Sequence, residues 1–216
     1  MDSPRYFQED TYHHLYNRGA NKAKIFFDKN DCYYFFKKLK EYKQKYSIEV
    51  LCYCLMINHF HIFVRQTTRD KSIGNFVGDL TNSYTKTINK KYKRTGVIFE
   101  GKTKNKIIYD DNNFTVLTKY ILLNPIRAKL VTKFEDWEFS SANDFLNNNK
   151  NSITDNTILK YFRSVEDFKS YIMNAEDFEE LRKYLKNNSE EKLLKENLEG
   201  WGNWKMNSKT FKVTRK

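Results

Sequence analysis

The 216-residue chain carries 39 Lys and Arg against 27 Asp and Glu, a formal net charge of +12 with a sequence pI near 9.4. With 39% hydrophobic and 16% aromatic residues it has the apolar volume for a folded domain, which excludes an intrinsically disordered chain despite 31% charged residues. No apolar run reaches the roughly 18 residues of a membrane span, MDSPRYFQED lacks the layout of a signal peptide, and 3 cysteines without a C-x-x-C spacing give no disulfide framework. A soluble protein of the reducing cytoplasm is expected, with no membrane partner, and its basicity points to a polyanion, nucleic acid first.

With only 7 Gly and 2 Pro, boundaries come from hydrophobic periodicity and Asn/Asp clusters. Thr11 to Asn17 reads as a strand, closed by Arg18-Gly19. Asp28 or Asn30 caps a helix to about Tyr46, with Tyr33, Phe36, Leu39 and Lys40 at helical spacing. Ile48 to Met56 is almost continuously apolar, as in a strand buried on both faces, and forms a hairpin through Ile57-Asn58 with a strand from His59 to Arg65. Ser72 to Arg94 is helical, with Ile73, Phe76, Val77, Leu80 and Tyr84 on one stripe. Lys104 to Tyr109 is a further strand. Asp110 and Asp111 cap a last helix that turns Phe114, Leu117 and Ile121 inward and ends near Pro125.

The order strand, helix, strand, strand, helix, strand, helix specifies an α+β domain with a central antiparallel sheet and packed helices. A polar break in LNNNKNS divides residues 1–146 from residues 147–216, a small helical, basic appendage with amphipathic pieces at Val165 to Met173 and Phe178 to Leu185.

His59-Phe60-His61 lies on a strand, so the two imidazoles project from one face and Phe60 from the other. They form half of a metal site or a pair of satisfied histidines. Tyr120 and Asn124 stand one turn apart on the last helix, where a phenol and an amide emerge together; the plainer reading is a helix C-terminal cap beside a snorkelling aromatic. If Ile57-Asn58 is a two-residue turn, Cys52 and Cys54 share the histidine face, which opens a Cys2His2 zinc alternative against simple packing of buried thiols.

YHHLYNRG (12–19), LMINHFHIFV (55–64), SYTKTINKKYKRTGVIFEGK (83–102), YILLNPIRAKLV (120–131) and EDWEFSSANDF (135–145) together resemble the REP-associated tyrosine transposases, of the single-tyrosine HUH endonuclease superfamily. The resemblance implies a ferredoxin- or RRM-like HUH fold, His59, His61 and Asn124 as ligands of a divalent cation (Mg²⁺ or Mn²⁺), and Tyr120 as the nucleophile. It further implies a nucleoid-associated bacterial enzyme that nicks and rejoins single-stranded or hairpin DNA through a 5′-phosphotyrosine. A domesticated, non-cleaving binding module is the competing class. Ile57, Glu100 and Lys102 depart from the Pro, Gln and Arg usual at those places, and Glu100 beside a DNA path is expected to weaken or re-tune binding.

Tyr84 is the rival nucleophile or a packing or stacking residue. Lys86, Lys90, Lys91, Lys93, Arg94, Lys102, Lys104 and Lys106, interleaved with Tyr92 and Phe99, read as a DNA path to which Arg18 and Arg127 are added, or as a solvated face. His13 matches the family's first-strand histidine and reads as structural. Some members of the superfamily exchange the tyrosine helix between two subunits; the longer C-terminal segment here is expected to hold that helix on its own sheet, favouring a monomer over a dimer.

Overall fold

The computed structural model describes residues 9–69, 73–147 and 152–174. β1 (Thr11–Arg18), α1 (Lys29–Lys45), β2 (Ile48–Met56), β3 (His59–Gln66), α2 (Ile73–Lys91), β4 (Lys104–Ile108) and α3 (Asn112–Arg127) appear in the expected order, followed by α4 (Ala142–Asn147) and α5 (Val165–Met173). The sheet is antiparallel throughout, in the order β2-β3-β1-β4, which is the split βαβ arrangement of ferredoxin-like domains. The two-residue turn pairs Met56 with His59 and Cys54 with His61. Among the described residues no helix is long and apolar enough to cross a membrane.

Alternation along β3 divides the core in two. On one face Phe60 packs 5.4 Å from Phe35 of α1, which packs 5.3 Å from Tyr84 of α2, so these helices share that side. On the other, Phe63 meets Phe114 of α3 at 5.2 Å. Burying each such ring contributes about 1.5–3 kcal/mol. The inner face of α1 differs from the expected one. Asp28 and Asp31 form a capping box, but Cys32, Phe35 and Leu39 are buried, whereas Tyr33 is 46% exposed and Lys40 is exposed. Four consecutive aromatics, Tyr33 to Phe36, make the helix apolar nearly all round, so periodicity does not choose the side.

β2 is an edge strand and yet buried. Chain beyond α3 covers its open edge: Leu55 N donates to Phe139 O (2.8 Å), Ser141 N to Tyr53 O (3.0 Å) and Trp137 Nε1 to Leu55 O (2.9 Å). Further along, beside the bulge between Val50 and Cys52, Val50 N donates to Asp155 Oδ2 (2.9 Å) and Asp155 N to Val50 O (3.0 Å). Residues 152–174 of the expected appendage add Ile153, Ile158, Phe168 and Ile172 to the core. The piece expected over Phe178 to Leu185, the basic C-terminus and Ser72 lie outside the described residues.

Candidate active site

His59 and His61 open β3 at the sheet end where β1 turns through Gly19, whose N–H reaches Asn58 O at 2.8 Å. A Cβ on Gly19 would stand 2.0 Å from Ala23 O, so only glycine fits this close turn. Both histidines are buried, with ring centroids 5.1 Å apart. His59 Nδ1 lies 2.7 Å from Asn58 Oδ1, and His61 Nδ1 lies 3.0 Å from His14 Nε2. Their Nε2 atoms are buried without a hydrogen-bond partner. Burial pushes His59 down to about 4, the Asn124 side chain opposing and the Arg18 charge adding to the shift. Burial, with the His59 and His14 rings close by, holds His61 well below its ordinary value. Both are therefore neutral at pH 7 with a lone pair to offer.

α3 supplies the other half. It ends at Arg127, with Pro125 inside its last turn. Proline removes the N–H that would bond Ile121 O. Asn124 Nδ2 takes up the slack, donating to Tyr120 O at 2.8 Å and, at 3.4 Å, to Ile121 O. Because carbonyls only accept, the amide nitrogen must face the helix, which leaves Oδ1 turned away from it, and the same side chain reaches His59. Tyr120 lies edge-on to His61 with centroids 5.2 Å apart, and the Arg127 guanidinium sits 5.7 Å from its ring centre. The four residues singled out from sequence thus form one cluster. Two imidazole nitrogens and an amide oxygen, each with its other atom already engaged, fit a divalent cation with positions left for oxygen ligands.

Several expectations need correction. Tyr84 is fully buried on the Phe60 side, its hydroxyl donating to Ile25 O at 2.5 Å, so it neither joins the cluster nor stacks on DNA. Phe99 is buried between Phe60 and Tyr84, and the Tyr92 hydroxyl donates to Asp31 and Asp28, so these rings serve packing too. Cys52 and Cys54 do share the histidine face, but burial pushes the Cys52 thiol up to about 12 and raises Cys54 as well; Ser141 Oγ donates to Cys52 Sγ, and Cys54 Sγ contacts Met56 Sδ. Among the described residues no three His, Cys, Asp or Glu side chains gather to hold a metal, so the Cys2His2 alternative is not built.

The cations fall on two sides. Lys104 and Lys106 pair with Tyr16 and His14 in the β1–β4 ladder and so share the histidine face, with Arg18 and Arg127 near it. Lys86, Lys90, Lys91, Lys93 and Arg94 belong to α2 and its C-terminal turn, across the sheet; Lys91 is held by Asp28 and Asp31 at 2.8 and 2.7 Å, and Arg94 lies over Phe27. Lys102 borders a separate groove of about 940 Å³ between α2 and the 97–105 segment. Arg18 is paired with Glu100.

His13 is structural as expected: its ring nitrogens meet Asn105 Oδ1 and Thr11 Oγ1. The residue missed is its neighbour His14. Only the β1–β3 register, with Tyr16 opposite His61, puts His14 on the histidine face. A doubled histidine at the head of β1 was the available signal, and strand alternation sends only one of the two there.

No curated protein matches the chain. Among solved structures, the fold resembles a REP-associated tyrosine transposase bound to a REP hairpin, at 15% identity over 65% of this chain and 82% of that one, with a TM-score of 0.55. A putative transposase of Deinococcus radiodurans R1 is 13% identical over 56% of this chain and 95% of its own, with a TM-score of 0.40. Residues 7–122, more than half of the chain, match the model of the IS200-like transposases, and the chain belongs to that family.

Proposed function

We propose that this transposase nicks and rejoins single-stranded DNA beside a hairpin, with Tyr120 as nucleophile and His59, His61 and Asn124 as ligands of Mg²⁺ or Mn²⁺. The observation that carries this is the pair of buried, unpartnered Nε2 atoms, one on a ring in edge contact with Tyr120. A hairpin as partner rests on the REP hairpin bound by the structural neighbour and on the basic surface of this chain.

Tyr120 Oη would attack phosphorus after losing its proton, forming the tyrosine O–P bond while the P–O3′ bond breaks and the departing 3′-oxygen is protonated. The 5′-phosphotyrosine conserves the ester, so a 3′-hydroxyl reverses the step without a nucleotide cofactor. The bound cation would supply Lewis-acid polarisation of the phosphate. His59 and His61 contribute neutral nitrogen ligands fixed by Asn58 and His14, and Asn124 an oxygen fixed by the backbone of α3. Arg127 brings a positive charge beside the phenol.

A non-cleaving binding module is the second reading, favoured by Tyr120 being 1% and Asn124 5% exposed, so that a strand reaches the phenol only after a local opening. Incubation with hairpin-bearing single strands from the DNA flanking the gene, with Mn²⁺, separates the two. We expect a denaturation-resistant protein–DNA band that Tyr120→Phe abolishes and Tyr84→Phe preserves. Absence of adduct across these substrates, with binding intact, would establish the module instead.

A further inference from the structure

We propose that His14 is a positioning residue: it fixes His61 as the Nδ1–H tautomer and so turns an Nε2 lone pair into the cluster. The proposal rests on the metal reading only for what that lone pair is used for. It starts from one contact, His14 Nε2 to His61 Nδ1 at 3.0 Å between two fully buried rings with centroids 5.2 Å apart. A single proton lies between these nitrogens, and its owner decides what His61 presents.

If His14 donated, the neutral His61 ring would carry its own proton on Nε2, an atom buried without any partner. A stranded N–H is among the rarest features of a folded interior. If His61 donates from Nδ1, that proton is satisfied and Nε2 keeps a lone pair, the cheaper atom to leave unpaired and the one able to bind a cation. His14 then accepts at Nε2 and carries its own proton on Nδ1. The same tautomer follows for His59, where Asn58 Oδ1 stands 2.7 Å from Nδ1 and can only accept. The two rings thus present matching nitrogens, one held by a turn residue and the other by a histidine on a neighbouring strand.

His14 holds this place by packing as well as hydrogen bonding. It sits 4.8 Å from the Tyr16 ring and 6.2 Å, edge-on, from Tyr120, so it touches both the histidine pair and the tyrosine. His13, one residue earlier, is bound on the far face to Asn105 and Thr11 and makes an internal control.

The test reads the tautomer first, without metal. Long-range ¹H–¹⁵N correlation on the ¹⁵N-histidine-labelled full chain at pH 7.5 should show His61 protonated at Nδ1 and bare at Nε2, with His14 bare at Nε2. His61 protonated at Nε2 would overturn the proposal whether or not metal binds. The second measurement is Mn²⁺ affinity by electron paramagnetic resonance. We expect His14→Leu to weaken binding about 10- to 100-fold, His14→Gln, whose amide oxygen can accept the same bond, to recover most of it, and His13→Gln to stay within about threefold. A folded His14→Leu protein that binds Mn²⁺ as the wild type does would also overturn the positioning role. Wild-type protein with the expected tautomer but no Mn²⁺ binding would sink the metal reading and leave the tautomer assignment standing. Should His14→Leu fail to fold, the wild-type spectrum still decides.

Discussion

Glu100 illustrates how one side chain tunes the site's approach. It pairs with Arg18, and that guanidinium holds its carboxyl below the usual range. The pair lies beside His59, where a phosphate would compete with the carboxylate for Arg18. Glu100→Gln should therefore raise affinity for a hairpin single strand a few-fold at low salt, with a smaller gain near 0.3 M salt because exposed charges are screened. Fluorescence anisotropy at two salt concentrations checks this; equal affinities would detach Arg18 from DNA binding. His13 gives a pH-dependent expectation. Burial lowers its pKa below the unfolded value of about 6.5, so the unfolded chain binds the proton more readily, and the stability from keeping the ring neutral is present above that value and lost as pH falls through it. In urea titrations the advantage of wild type over His13→Gln should shrink from pH 7.5 to pH 5. The His59–His61 pair and the Tyr120–Asn124 pair were legible because each rests on local periodicity. His14 was not, because its place depends on a pairing between β1 and β3, about 47 residues apart in sequence.

At the level of elements, the seven that build the domain follow the hydrophobic pattern, and their ends shift where side chains rather than backbone satisfy the termini. α3 outlasts Pro125 for this reason, since the Asn124 amide replaces the missing donor. The inner face of α1 was unreadable because its aromatics encircle the helix. Lys119 was also overlooked, although it adjoins the tyrosine. It is 1% exposed, donates from Nζ to Tyr171 O and Asn174 O at 2.8 Å each, and lies 4.7 Å from the centre of the Tyr171 ring, so α3 and the end of α5 are joined through a buried ammonium. Carbonyls at a helix C-terminus are a favourable place for a cation. Lys119→Met should cost about 1–3 kcal/mol of stability, since charged hydrogen bonds carry more than neutral ones. The loss should be local: hydrogen exchange should quicken over 165–174 and leave β3 protected. Uniform acceleration would mean that Lys119 supports the whole core instead.

For the whole molecule, the decisive feature is the covered edge of β2. A four-stranded sheet has two edges, and an uncovered apolar one invites pairing with another chain. Here the 137–141 segment and Asp155 occupy the backbone groups of β2, and Lys43 ties that return segment down through Ile153 O at 2.8 Å and the Asp155 carboxylate. The motif EDWEFSSANDF carries part of this cover, yet nothing local to it announces a partner some eighty residues back. Ile153, Ile158, Phe168 and Ile172 extend the same core, and α3 with Tyr120 lies beneath them. If this segment keeps the tyrosine helix on its own sheet, a chain ending at Asn174 should be a monomer by multi-angle light scattering at micromolar concentration. A chain ending at Asn147 loses those apolar side chains and the Asp155 contacts to Val50. It should melt lower, bind a hydrophobic dye and associate. A tight dimer of the longer chain would overturn the monomer expectation. A truncated chain that melts unchanged and stays monomeric would show that the 137–141 segment alone suffices to close the sheet.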